Sequence, residues 1–151
     1  MVTLLVRDTQ WSAAEPSIER RIREALAVAL PGDGRPISVV LADDQFVHGL
    51  NARFRGKDKP TNVLSFPAPA RASELGDIVL AFETVAREAK HEHKTLAQHT
   101  AHLVIHGALH LLGHDHEADT DAERMRAAEV VALGRLGLPN PYADTEDEEL
   151  Q

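Results

Sequence analysis

Residues 106–116 read HGALHLLGHDH. Three of its four histidines, His106, His110 and His116, fall at spacings that suit one site, and Gly113 lies between the second and third of these. On a helix, a four-residue spacing puts His106 and His110 on one face, about one turn or roughly 6 Å apart along the axis. A metal ion between them is within reach of both rings at about 2.0–2.1 Å. Gly113 sits where a C-cap glycine ends a helix and lets the chain reverse. The reversal can carry His116 back towards the same ion. Three neutral imidazoles with an open fourth position suit a catalytic zinc site better than a structural one, which takes four protein ligands. Zinc is the default; three histidines also suit nickel, cobalt or copper. A single histidine would read as an ordinary helix-face residue, and the spacing of all three makes the case.

The spacing is also that of the metzincin zinc proteases, H-E-x-x-H-x-x-G-x-x-H, with one departure. Gly107 stands where those enzymes carry a catalytic Glu. That Glu polarises the metal-bound water and shuttles its proton to a poor leaving group. Glycine cannot do this. Phosphodiester cleavage leans more on stabilising negative charge and can borrow a basic residue. The substitution therefore lowers a protease reading and raises phosphoryl chemistry. His102 lies one turn upstream on the same face, as a fourth ligand, a partner of a ligand or a cleft residue. His114 and Asp115 sit within the motif; Asp115 suits the orienting of a ligand imidazole through its second nitrogen.

A second dense stretch is LNARFRGKDKPTNVLSFPAP, residues 50–69. Arginine presents a planar fork that grips phosphate oxygens in pairs. Arg55 precedes a loop with Gly56, Pro60 and Thr61, while Arg53, Lys57 and Lys59 add positive field. Residues 53–59 hold four basic side chains against one acid, although the formal net charge of the chain is −8. Five of the acids, Asp144, Glu146, Asp147, Glu148 and Glu149, lie in the last ten residues. Taken alone, the loop reads first as a solvated basic turn.

The elements that must position these residues follow from the apolar patterns. VTLLVRD (2–8) reads as a strand. Pro16 opens a helical pattern through Ile18, Ile22, Ala25, Leu26, Ala29 and Leu30, and PGDG (31–34) stops it. ISVVLA (37–42) reads as a buried strand, and Asp43 or Asp44 caps a short helix through Phe46, Val47, Leu50 and Phe54. VLSF (63–66) and DIVLAF (77–82) read as strands close enough to pair antiparallel. Helical patterns cover 83–92, 95–112 and 120–135, and Leu138-Pro-Asn-Pro ends the last. The expected fold is α+β: a single domain over 1–141 with a mixed sheet, helices packed on it and a zincin-like metal helix, then an acidic tail over 142–151.

The 151 residues suit one domain, and 43% hydrophobic content supplies a core. There is no cysteine, which excludes disulfides and thiolate metal sites and fits a reducing compartment. No apolar run approaches the roughly 18 residues of a membrane span, and the apolar run near Met1 is too short for a signal peptide. The expectation is a cytoplasmic protein with no membrane partner.

HGALHLLGHDH, LNARFRGKDKPTNVLSFP and GDIVL (76–80) together resemble the YbeY family of bacterial endoribonucleases. The likeness covers most of residues 37–130. It implies a mixed, about four-stranded sheet packed with helices, and one zinc ion on His106, His110 and His116. It also implies a single-strand-specific endoribonuclease with Arg55 lining the RNA cleft. The expected work is small-subunit ribosomal RNA maturation, including the 3′ end, and ribosome quality control. RNA and the small ribosomal subunit are the expected partners, and DNA is not. Lys57, Lys59, His102, His114 and Asp115 are expected around the substrate or behind the ligands. Three positions depart from the family pattern: His114 for Tyr, Asn62 for Asp and Phe54 for Tyr. A metalloprotease-like amidohydrolase and a non-catalytic ribosome-associated zinc protein are the alternatives.

Overall fold

VTLLV, ISVVLA, VLSFP and GDIVLA become the four strands of one sheet: β1 (Val2–Val6), β2 (Ile37–Ala42), β3 (Val63–Pro67) and β4 (Gly76–Ala81). The computed structural model describes residues 1–69, 71–113 and 119–142. Strand order is β1-β2-β4-β3. β1 and β4 run parallel to β2, while β3 runs antiparallel to β4 with Ser65 opposite Ile78. The short 68–75 connection brings β3 back beside β4, which makes β3 an edge strand and the sheet mixed, as the sequence spacing predicts. The first strand stops at Val6, short of the predicted Asp8. There the N–H groups of Arg7 and Asp8 both turn to the carbonyl of Leu41.

Alternation along the strands divides the molecule into two apolar layers. Ile37, Val39, Leu41, Ile78 and Leu80 face a larger core shared with α2 (Ile18–Ala29), α5 (Leu96–Leu111) and α6 (Asp119–Arg135). Ala42, Leu64, Val79 and Ala81 face a smaller one closed by Val47 of α3 (Asp44–Arg55). Helix α2 is held through a stripe of Ile18, Ile22, Ala25, Leu26 and Ala29 at helical spacing. Each large side chain fully buried there contributes about 1.5–3 kcal/mol. The periodicity of the sequence does not predict α1 (Gln10–Ala14). This five-residue turn exists to bury Trp11, which packs edge-on to Phe82 at 5.3 Å and donates from Nε1 to the carbonyl of Ala42 at 2.9 Å. Pro16 lies in the turn before α2 rather than within it.

Asp43 caps α3, its side chain accepting from the Phe46 N–H at 2.8 Å. Asp44 then accepts from both the backbone and the hydroxyl of Thr84, which ties the start of α3 to α4 (Phe82–His91). Helix α3 ends at Gly56 in the left-handed region, φ 65°, so the basic residues that follow leave the helix sharply. Among the described residues no helix is long and apolar enough to cross a membrane.

Candidate active site

Helix α5 carries the first two histidines of the motif. It starts on a capping box in which Thr95 accepts from the Gln98 N–H and the Gln98 side chain accepts from Thr95 N–H, both at 3.0 Å. Its flanks are buried on three sides, through Ala101, Leu103, Val104, Ile105, Ala108 and Leu109 among others. His106 and His110 occupy the remaining strip, each partly exposed towards one cavity. Their Nε2 atoms lie 3.1 Å apart. Two nitrogens on a tetrahedral ion at about 2.0–2.1 Å would stand about 3.3 Å apart, so this pair fits a shared metal. After Leu111 the helix gives way at Gly113, φ 96°, whose N–H donates to the His110 carbonyl. The helix therefore ends where the sequence places its glycine stop. Among the described residues no group of three His, Cys, Asp or Glu side chains converges as a metal-binding set.

Behind the pair sits a carboxylate that no motif in the sequence singles out. Glu129 of α6 is 1% exposed. It accepts from His106 Nδ1 at 2.5 Å and His102 Nε2 at 3.1 Å, and from the Tyr142 hydroxyl. Burial pushes its carboxyl up, but the hydrogen bonds from His102, His106 and Tyr142 outweigh burial and bring it down to about 2. The Tyr142 phenol is pushed above its usual range by burial and by Glu129, with Arg126 opposing. A carboxylate on Nδ1 holds the proton there and leaves Nε2 as the lone-pair nitrogen, which is the form a ligand imidazole needs. His102 directs its Nε2 to Glu129 and stands behind the His106–His110 pair.

Gly107 has a packing reason. It is buried, and its carbonyl accepts from Ser65 Oγ at 3.3 Å. A Cβ at this position would come within 2.9 Å of Ser65 Oγ and 3.3 Å of two Ile78 side-chain atoms. The residue after the first histidine therefore faces the sheet and not the cavity. A Glu there would be driven into β3 and β4.

Arg55, the last residue of α3, reaches the same cavity from the other side of β3. The cavity is about 580 Å³ and is lined by Arg55, Lys57, Lys59, Asn62, His106 and His110 among others. Arg55 donates to the Ser65 carbonyl. Asn51, 3% exposed, fixes the basic loop: its side-chain amide donates to the Lys59 carbonyl at 2.9 Å, and its own carbonyl accepts from Lys57 N–H at 3.1 Å. No carboxylate occurs among the described lining residues. The local field therefore favours an anion although the chain as a whole is acidic.

A profile of the family described as Endoribonuclease YbeY matches residues 5–137. The chain belongs to the YbeY family. A relative from Azorhizobium caulinodans named Endoribonuclease YbeY is 49% identical, over 94% of this chain and 96% of its own length. One of the same name from Paramagnetospirillum magneticum is 47% identical, over 89% and 90%. The solution structure of a Thermotoga maritima protein is 26% identical, with a TM-score of 0.56 over 90% of this chain and 91% of that one. The mixed four-stranded sheet with helices is the fold expected of a YbeY-family chain.

Of the sequence-derived candidates, Arg55, Lys57, Lys59, His106 and His110 share one cavity. His102 lies behind it on Glu129. His114, Asp115 and His116 lie outside the described residues, as does the acidic tail beyond Tyr142. Asn62 departs from the YbeY pattern in a way the fold explains. It donates to Glu88 at 2.9 Å and accepts from Val63 N–H at 2.7 Å, and Glu88 also bonds His99 at 2.9 Å. An Asp would set two carboxylates against each other there. Glu129 carried one overlooked signal: it is an acid within the Met125, Ala132, Leu133 stripe of α6, where an apolar residue is expected.

Proposed function

We propose that this protein is a zinc-dependent, single-strand-specific endoribonuclease acting in small-subunit ribosomal RNA maturation, including the 3′ end, and in ribosome quality control, in the cytoplasm. The observation that carries this reading is the shared cavity, where the His106–His110 nitrogen pair and the Arg55 guanidinium face one space with Lys57 and Lys59 at its wall. Membership of the endoribonuclease YbeY family supports it. The metal ligands of this reading are His106, His110 and His116. When bound, zinc supplies Lewis acidity to a phosphate oxygen and acidity to a water.

The chain's own residues do the remaining work. Arg55 receives the phosphate at the bond to be cut, and Lys57 and Lys59 hold the neighbouring backbone through point charge. Glu129 keeps the His106 proton on Nδ1, so that Nε2 stays available. Ser65 holds Arg55 through its carbonyl and meets α5 at Gly107, which fixes the distance between the arginine and the histidines. The packing of Gly107 against β3 weighs against the amidohydrolase alternative, because the protease base has no room at that position.

The test is cleavage of single-stranded against double-stranded RNA by untagged protein, with metal analysis of the same preparation. His110→Ala and Arg55→Ala are expected to lose cleavage, and the metal content is expected near one per chain. Cleavage by His110→Ala at the wild-type rate would sink the metal reading. Stoichiometric metal without any RNA cleavage would leave the non-catalytic zinc protein as the better account.

A further inference from the structure

Three of the chain's four phenylalanines lie together on the far side of β3 from the histidines. Phe46, Leu50 and Phe54 recur every four residues on α3, beside the fully buried Val47. Phe46 and Leu50 pack partly buried against the smaller core, and with the exposed Phe54 they border an open groove of about 460 Å³, floored by Val40, Val79 and Phe66. Phe54 is 61% exposed. Each ring has an arginine by it: Arg7 lies 3.9 Å over Phe46, Arg53 5.3 Å from Phe54, and Arg55 5.5 Å from Phe66. Phe54 and Phe66 meet edge-on at 6.0 Å. Asp77 is the one acid among the described lining residues.

We propose that this groove is a base-stacking subsite for single-stranded RNA, continuous with the histidine cavity across β3. The inference rests on the endoribonuclease reading above and extends it to residues outside the cleavage cavity. Continuity comes from β3 and Arg55. Ser65 turns its side chain to Gly107 and the histidine side, and the next residue, Phe66, turns to the groove. Arg55 bonds the Ser65 carbonyl, lines the cavity and lies over Phe66. A phosphate received by Arg55 therefore leaves an adjoining nucleotide beside Phe66 and Phe54. Nucleic acid suits the groove better than an apolar protein face does. A partner helix would have to desolvate three guanidinium groups, whereas a base covers a ring while its phosphate pairs with the arginine. Stacking tolerates any base, in keeping with single-strand selectivity without sequence readout.

The test is binding by the full chain, with chelator present so that the RNA stays intact. The probes are a labelled oligouridylate long enough to span cavity and groove, and an abasic oligomer of equal length and charge. Phe54→Ala leaves the core untouched, and a melting curve checks this. It is expected to weaken oligouridylate binding on the order of tenfold and to leave abasic binding nearly unchanged. Phe54→Tyr is expected to keep wild-type affinity, and Phe54→Leu to lose about as much as Phe54→Ala. If Phe54→Ala binds oligouridylate as wild type does, while wild type cleaves RNA, the subsite is overturned and the endoribonuclease reading stands. If wild type neither binds nor cleaves RNA, that reading itself has failed. Full binding by Phe54→Leu would replace stacking by plain apolar contact and overturn the proposal. A concentration-dependent dimer of wild type that Phe54→Ala dissolves would give the groove to a second copy and overturn it too.

Discussion

Glu129→Gln is nearly isosteric and removes two linked properties, the negative charge and the ability of both side-chain oxygens to accept. In the wild-type chain one oxygen takes the His106 Nδ1 proton at 2.5 Å and the other takes His102 and Tyr142. A glutamine keeps one acceptor and presents an amide donor in place of the other. If the donor faces His106, the ring must move its proton to Nε2. If it faces His102, that ring must give up its Nε2 proton and Tyr142 must turn to accept. Either way His106 loses a charge-assisted bond, and bonds to charged groups contribute about 1.5–3 kcal/mol in sites like this one, where Glu129 is 1% exposed. The bias of His106 towards the Nδ1–H form should therefore fall on the order of tenfold or more. Nitrogen-15 NMR of the metal-free protein reads the tautomer of each imidazole directly, without reference to activity. Zinc affinity by chelator competition should drop about 10- to 100-fold in parallel. An unchanged His106 tautomer together with zinc affinity within a factor of two would refute the argument and reduce Glu129 to a satisfied core acid.

Gly107→Glu should not create a protease. It should destabilise the fold by about 3 kcal/mol or more, because the new side chain meets Ser65 and Ile78 in a buried seam, and denaturant unfolding measures this. Asn62→Asp restores the residue usual at this place in the YbeY pattern, but it removes the donor to Glu88 and sets like charges together. A loss of about 1 kcal/mol is expected, and Glu88→Gln in the same chain should recover most of it. Asp33 is held down from 3.8 to about 2, chiefly by its side-chain hydrogen bond from Arg35. A depressed folded value stabilises above the unfolded value and is lost as acid approaches the folded one. Asp33→Asn should therefore cost a little stability at neutral pH, and the gap from wild type should close as pH falls from 3.8 towards 2. Thermal melts across that range give the comparison.

Most of the fold is legible in the order of residues along the chain. The strands at 37–42, 63–67 and 76–81 and the helices α2 to α6 fall within one or two residues of their predicted bounds. Apolar periodicity, Asp43 as a cap and Gly113 as a stop are properties of neighbouring residues. The facing of His106 and His110 is local in the same sense, since a four-residue step on a helix fixes it. Helix α1 is not legible in this way. A five-residue turn has no period to detect, and the burial that makes it, Trp11 against Phe82 and Ala42, joins distant parts of the chain.

Tertiary structure alone decided what surrounds Gly107, Glu129 and Arg55. The sequence marked Gly107 as a missing base; the packing of α5 on β3 and β4 makes it a contact point with no space for one. The sequence hid Glu129 in a helical stripe, and the docking of α6 on α5 set it behind His106 and His102. Charge alone leaves Arg55 as part of a basic turn, and only the family resemblance sets it in a cleft; β3 is what brings it to the cavity of His106 and His110. The division has a physical cause. Backbone period and end-capping act over a few residues and leave their record in order along the chain. Burial and charge at a site depend on which distant surfaces close over it, and that is settled only when the sheet and its helices pack.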